Sequence, residues 1–298
     1  MNFPTLTITQ MKSISTPLNC SLLLTLILVT VFGCSNPCED IQCENGGICI
    51  SGICECPEGF AGELCDSIVQ TQITYSDSCL DQNSITFDGY DYNIVAIGSQ
   101  CWFAENLRTA HFANGDPIPS DFNNPDWGEL NTAGMTEYQT NPMIPEVYGQ
   151  LYNWHATTDP RGLCPSAWHV PSDEEWTQLE LYLGMPEWHN DLSGQLRATG
   201  IGTNLKASPS NSPPWNGTDS LGFTAIPAGG RSSSGQFLDN QTLSGFSQGT
   251  NFWTTSLDTV TSWPNDRYWT RKLLDQHSGV YRDPWTAQYG FSVRCLKD

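Results

Sequence analysis

The chain of 298 residues is long enough for a small module plus a larger domain with a core of its own. Its 32 Asp and Glu outweigh 12 Lys and Arg, and no cation lies between Lys12 and Arg108, which excludes nucleic acid as a partner because a phosphate backbone is held by clustered cations. Hydrophobic residues at 38%, with 11 Trp, 10 Tyr and 12 Phe, exclude disorder for most of the length, and the acidity reads as solubility.

In chain order, the first element is a targeting segment, residues 1–33. Lys12 precedes the apolar run Leu22–Phe32, which fits the hydrophobic region of a signal peptide and is too short to span a bilayer. Val31-Phe32-Gly33-Cys34 resembles the lipobox of bacterial lipoproteins, although Phe32 stands where a small residue is usual. The resemblance implies acylation of Cys34 and an exported chain anchored by lipid in a bacterial outer membrane, facing the cell surface. Ordinary cleavage near Gly33, with Cys34 in a disulfide, is the alternative. Cysteine parity favours acylation, since setting aside Cys20 and Cys34 leaves ten that can pair without remainder.

Residues 35–66 hold Cys38, Cys43, Cys49, Cys54, Cys56 and Cys65. So short a segment cannot bury enough apolar surface to fold unaided, and cross-links must replace the missing core. Spacing alone leaves fifteen pairings open. The pattern C-x4-C-x5-C-x4-C-x-C-x8-C, with Asn45-Gly46-Gly47 and Cys56-Pro57-Glu58-Gly59-Phe60-Ala61-Gly62, resembles EGF-like domains. That resemblance implies Cys38–Cys49, Cys43–Cys54 and Cys56–Cys65. Zinc is disfavoured, because residues 35–66 contain no histidine and no C-x2-C pair. The acidic and aromatic positions of calcium-binding EGF modules are absent too, so the module is expected to be a spacer without calcium.

After a polar linker, 67–78, residues 79–298 read as one α+β, loop-rich domain in which short strand-like runs are broken by Gly, Pro, Asn and Ser. Ile94–Ile97 and Gln100–Phe103 are predicted strands around Gly98-Ser99. A helix is predicted over about Val147–His155 from the spacing of its aromatic and leucine residues. A second is predicted from Ser172 to Gly184, with a capping box of Ser172 and Glu175, acids in the first turn, and Trp176, Leu179 and Leu183 at helical spacing.

Five motifs then carry a resemblance: Ile97-Gly98-Ser99-Gln100-Cys101-Trp102-Phe103-Ala104-Glu105-Asn106-Leu107, Tyr148–Trp154, Leu163–Trp176, Gly222–Arg231 and Tyr289–Cys295. Together they resemble the Fibrobacter succinogenes major paralogous domain over about 200 residues. The resemblance implies a surface or secreted bacterial domain with a C-type-lectin-like core, distantly similar to formylglycine-generating enzymes. It also implies Cys164–Cys295, which leaves Cys79–Cys101.

No catalytic set is legible. The relatives that make formylglycine use a reactive cysteine pair, and here structural disulfides would consume every candidate thiolate. The five histidines (His111, His155, His169, His189, His277) have no metal-binding spacing, and His169 is expected to be a hydrogen-bonded core residue. Arg231 and Arg294 are expected to tie loops to buried carboxylates. Neither enzyme activity nor a metal or cofactor is expected. Binding has the better case. Aromatic residues crowd the last third, and Trp253, Trp263, Trp269 and Trp285 are the candidate platforms, about half of them expected in the core. Asn265 and Asp266 join them, because Trp263-Pro264-Asn265-Asp266 resembles the Trp-Asn-Asp calcium motif of lectins, interrupted by Pro264. The expectation is a glycan or surface protein as ligand. An enzyme on the formylglycine-generating scaffold and a structural envelope protein are the competing readings.

Overall fold

A computed structural model describes residues 38, 41–44, 47–51, 53–56, 60–61, 63–65, 67–68, 78–137, 145–238 and 249–298. The predicted targeting segment, Cys34 and most of the linker lie outside them. The chain divides into two compact units, Met1–Ile73 and Thr74–Asp298.

The first unit is held by cross-links. Strands β1 (Ile48–Ile50) and β2 (Ile53–Glu55) form an antiparallel hairpin with Cys49 opposite Cys54, and β3 (Phe60–Ala61) pairs with β4 (Ser67–Ile68). The disulfides are Cys38–Cys49, Cys43–Cys54 and Cys56–Cys65, as the EGF-like pattern implied. Two of the three are anchored in one hairpin and tie each of its strands to the segment before it.

The second unit is sheet-rich with few helices. Its elements are β5 (Ser84–Phe87), β6 (Tyr90–Ile97), β7 (Gln100–Phe103), α1 (Asn124–Gly128), β8 (Met135–Thr136), α2 (Pro145–Tyr148), β9 (Leu151–Tyr152), α3 (Trp154–Thr157), β10 (Trp168–His169), α4 (Asp173–Tyr182), β11 (Leu196–Arg197), α5 (Ile201–Leu205), β12 (Gly249–Leu257), β13 (Tyr268–Leu274), β14 (Val280–Trp285) and β15 (Leu296–Lys297). One antiparallel sheet runs β10-β15-β7-β6-β5 and a second β11-β14-β13-β12. In the first sheet the last strand lies between two much earlier ones, and Cys164–Cys295 fixes that closure across 131 residues. A loop that long contributes about 5 kcal/mol in the chain-entropy account of disulfides. Cys79–Cys101 ties the start of the unit to β7.

Two hydrophobic clusters fill the unit, one around Tyr92, Phe103, Tyr152, Trp253 and Phe291, the other around Trp102, Trp176, Phe223 and Phe252. Neighbouring residues on one strand enter different clusters, Trp102 and Phe103 on β7, Phe252 and Trp253 on β12. Successive strand side chains point to opposite faces, so both strands are covered on both sides.

The helix at α4 forms as predicted. The Ser172 side chain accepts from Glu175 N–H while the Glu175 carboxylate accepts from Ser172 N–H, completing the capping box. The helix predicted over Val147–His155 is instead broken into α2, β9 and α3. Gly149 sits at φ +76°, and a Cβ there would lie 2.7 Å from the Leu107 carbonyl oxygen, so the chain turns out of the helix at this point. Tyr152 then exchanges backbone hydrogen bonds with Phe291, and the Asn153 side chain starts α3 by accepting from Ala156 N–H.

The arginine expectation needs correction. Arg294 is buried and donates to no carboxylate. Its partners are Asn106 Oδ1 (2.8 Å) and the carbonyls of Phe103 (3.0 Å), Phe223 (2.6 Å) and Thr224 (2.9 Å). Arg231 likewise donates to the carbonyls of Gly235 and Phe122, each at 2.8 Å, and to Asn124 Oδ1. Both positions gather carbonyl oxygens of irregular segments, which a guanidinium with its fan of donors can satisfy together.

Two carboxylates that arginines do pair with, Asp173 and Glu180, belong to α4. Glu180, without solvent exposure, pairs with Arg197 and with Arg271 Nε (2.7 Å). About two turns earlier, Asp173 receives Arg271 Nη1 (2.6 Å) and a two-pronged contact from Arg282. Burial raises the Asp173 carboxyl, but the Arg282 and Arg271 guanidiniums outweigh it and hold it at about 2. The network locks α4 onto β11, β13 and β14. Replacing Glu180 by Ala strands buried Arg197 without a carboxylate and leaves Arg271 only Asp173, and is expected to lower unfolding stability by about 3–5 kcal/mol in denaturant titration. Arg161→Ala, at a half-exposed pair with Asp159, is expected to change it by less than about 1 kcal/mol.

Candidate ligand-binding surface

The six side chains nominated for binding do not stay together. Trp253, on β12, is fully buried, donates from Nε1 to the Tyr152 carbonyl at 2.8 Å and tilts against Phe291. Trp269, on β13, is buried beneath the Arg282 guanidinium, 3.5 Å from its ring. Neither has a face to offer a ligand. Trp285 is half-buried at the end of β14, against Tyr289 and Phe291. The exposed remainder, Trp263, Asn265 and Asp266, shares one loop, the connection from β12 to β13.

That loop is built from Asp258 outward. Its N–H donates to the Arg267 carbonyl at 2.7 Å, closing the base. Its buried carboxylate accepts from Val260 N–H (3.0 Å), Thr261 N–H (3.1 Å) and the Thr261 hydroxyl, so the backbone entering the turn has a fixed course. Arg267 donates to the Pro284 carbonyl on the neighbouring strand β14 and lays its guanidinium 4.1 Å from the Trp263 ring centre. The indole is therefore supported on one side by a stacked cation and remains 48% exposed. Leu257 (43%), the last residue of β12, and Val260 (74%), on the connection, are exposed as well. Sequence reading missed Asp258 and Arg267. The signal that marks such a turn is the Asp-x-x-Thr spacing of Asp258 and Thr261, while nothing local marks Arg267.

The interrupted calcium motif gathers no ligand set around it. Among the described residues, no three His, Cys, Asp or Glu side chains cluster as they would round a metal ion. The ten cysteines from Cys38 to Cys295 are all in disulfides.

His169 is half-exposed rather than in the core, and it is clamped at both nitrogens. Nε2 meets Glu175 Oε1 at 2.9 Å and Nδ1 meets Asp298 Oδ1 at 2.6 Å. The Glu175 bond, opposed by partial burial and helped by Asp298, raises the imidazole to about 8. The same bond holds Glu175 at about 2. Both nitrogens and both carboxylates are occupied by one another, an arrangement that joins the cap of α4 to the segment after β15 and leaves no free base.

The matches to known proteins fall into two parts. The Fibrobacter succinogenes major domain family matches residues 95–297, more than half of the chain. The chain belongs to this family. Curated relatives match shorter stretches. The EGF-like repeat and discoidin I-like domain-containing protein 3 of Mus musculus is 52% identical over 48 residues, 14% of this chain and 10% of that protein. The tissue-type plasminogen activator of Mus musculus is 33% identical over 79 residues, 24% and 12% respectively. A neutral protease 2 homolog of Neosartorya fischeri is 29% identical over 152 residues, 48% and 27%. The chain thus spans about a tenth to a quarter of the length of these relatives. No solved structure matches it.

The His169 clamp gives a pH expectation. Its imidazole is raised above the ordinary 6.5, so the clamp's contribution to stability is complete below that value and is lost as pH rises through about 8. Glu175 is depressed, so its contribution is complete above 4.5 and is lost as pH falls toward about 2. Denaturant midpoints are expected to fall between pH 6 and pH 9, and His169→Gln is expected to flatten that fall. An identical slope in the variant would assign it to other groups.

Proposed function

We propose that the chain is a lipid-anchored bacterial surface protein, not an enzyme, whose family domain is a C-type-lectin-like module that binds a glycan through the β12–β13 loop. One observation carries the reading: Trp263 stands half out of the surface, braced from beneath by Arg267, with Asn265 and Asp266 exposed beside it. A sugar ring offers axial C–H groups that stack on an indole face and hydroxyls that need nearby amide and carboxylate partners. The brace lowers the ordering cost on binding, because the loop is already fixed by Asp258 and Arg267. The lectin-like reading is supported by the disulfide that joins the segment before α4 to the segment before the last strand. Against an enzyme on the formylglycine-generating scaffold stands the pairing of every described cysteine. Exposed apolar Leu257 and Val260 keep a protein ligand as the second reading.

A glycan array probed with the mature chain tests this. At least one glycan class is expected to bind, with Trp263→Ala lowering affinity tenfold or more, a change of about 1.4 kcal/mol, and leaving the melting temperature unchanged. Chelation of calcium is expected to leave binding unaltered. Uniformly negative arrays, or binding indifferent to Trp263→Ala, would overturn the assignment.

A further inference from the structure

The Cys-rich unit presents one face that its cross-links do not use. Cys49 and Cys54, opposite one another on β1 and β2, point to the side that carries two disulfides. Ile48 and Ile50, two residues apart on β1, point the other way, and Ile53 on β2 lies directly across from Ile50. The three are 67%, 48% and 71% exposed. Only Glu55, opposite Ile48, breaks this face with a charge. Scattered surface isoleucines need no explanation, but three adjoining ones on a hairpin of six residues mark a surface that is covered in use.

The covalent path from the anchor decides what covers it. Cys38 follows Cys34 by four residues, a reach of at most about 14 Å. Cys38 is bonded to Cys49, with 5.9 Å between their Cα atoms, and Cys49 sits between Ile48 and Ile50. With its acyl chains in the bilayer, Cys34 keeps Cys49 within about 20 Å of its own position, so the hairpin stays within reach of the lipid surface. Residues 35–66 carry seven acids and no Lys or Arg, so stacking a second copy face to face would bring like charges together. A neutral lipid interface imposes no such repulsion.

We propose that Ile48, Ile50 and Ile53 seat the module in the interface of a membrane rich in zwitterionic lipid, a second contact beside the anchor that makes the module a foot of fixed orientation and not a swinging spacer. The proposal rests on the acylation of Cys34. Its chemistry follows that of interfacial segments, in which a modest apolar surface adds to a lipid chain and sets how the protein lies on the bilayer.

The test uses the full mature chain, acylated, in vesicles of phosphatidylcholine and phosphatidylethanolamine, with amide hydrogen exchange read over residues 47–56. Exchange is expected to be at least tenfold slower than in the Cys34→Ala chain free in solution. The acylated Ile48→Thr, Ile50→Thr, Ile53→Thr variant is expected to return to the free rate, threonine keeping the β-branched backbone preference. Should that variant fail to form its disulfides, Ile53→Thr alone is expected to give an intermediate rate. The intact mass separates the failures. Acyl chains present with exchange unchanged would overturn the seating alone, whereas a mass without acyl chains would remove the anchor and the seating together. Slowing that appears with envelope protein and not with these vesicles would give the face to a protein partner and overturn the lipid assignment.

Discussion

A domain with this much irregular backbone has carbonyl groups that no strand or helix takes up, and buried ones cannot be left without donors. Cationic side chains take them here. Arg294 gathers three carbonyls from segments some 70 and 190 residues away in sequence, and Arg231 gathers two. Lys206 directs its ammonium at the carbonyls of Leu274, Asp275 and His277, and Arg197 reaches those of His189 and Asn190. Burial lowers the guanidinium of Arg294 to about 9 and that of Arg197 to about 10, so both stay charged near neutrality. Aromatic rings serve as the counter-surface, with Phe223 and Phe252 beside Arg294 and Trp127 beside Arg231.

The loop that carries the candidate site depends on the same economy. Arg267 satisfies a carbonyl of the neighbouring strand and braces an indole with one side chain. The α4 network is the ionic counterpart, since Asp173 and Glu180 take three arginines from three strands and so fix the second sheet against the one long helix.

How much of this is legible in the sequence depends on the distance over which each decision is made. The α4 cap is local, four residues long, and reads correctly. The cysteine pairs agree with what the family resemblances implied, whereas spacing alone left fifteen pairings of the first six open. Val147–His155 misleads because its aromatic spacing is helical while Gly149 is held by the Leu107 carbonyl, some forty residues earlier. The partners of Arg231 and Arg294 are backbone atoms of distant segments, invisible to any reading of side-chain types. The tryptophans divide between core and surface according to sheet order: Trp253 and Trp269 lie on paired strands packed on both sides, and Trp263 lies on the connection between them.

One consequence of the buried cations lies outside the fold. Six of the eleven Lys and Arg that follow the targeting segment are buried, against three buried acids among the described residues. The solvent-facing shell is therefore more anionic than the net charge states. Its field extends about 8–10 Å at physiological salt, repelling polyanionic polymers and drawing in cationic molecules. Encounter rates at such a surface fall or rise with ionic strength according to the sign of the visitor, so the interior's demand for donors also selects what approaches from outside.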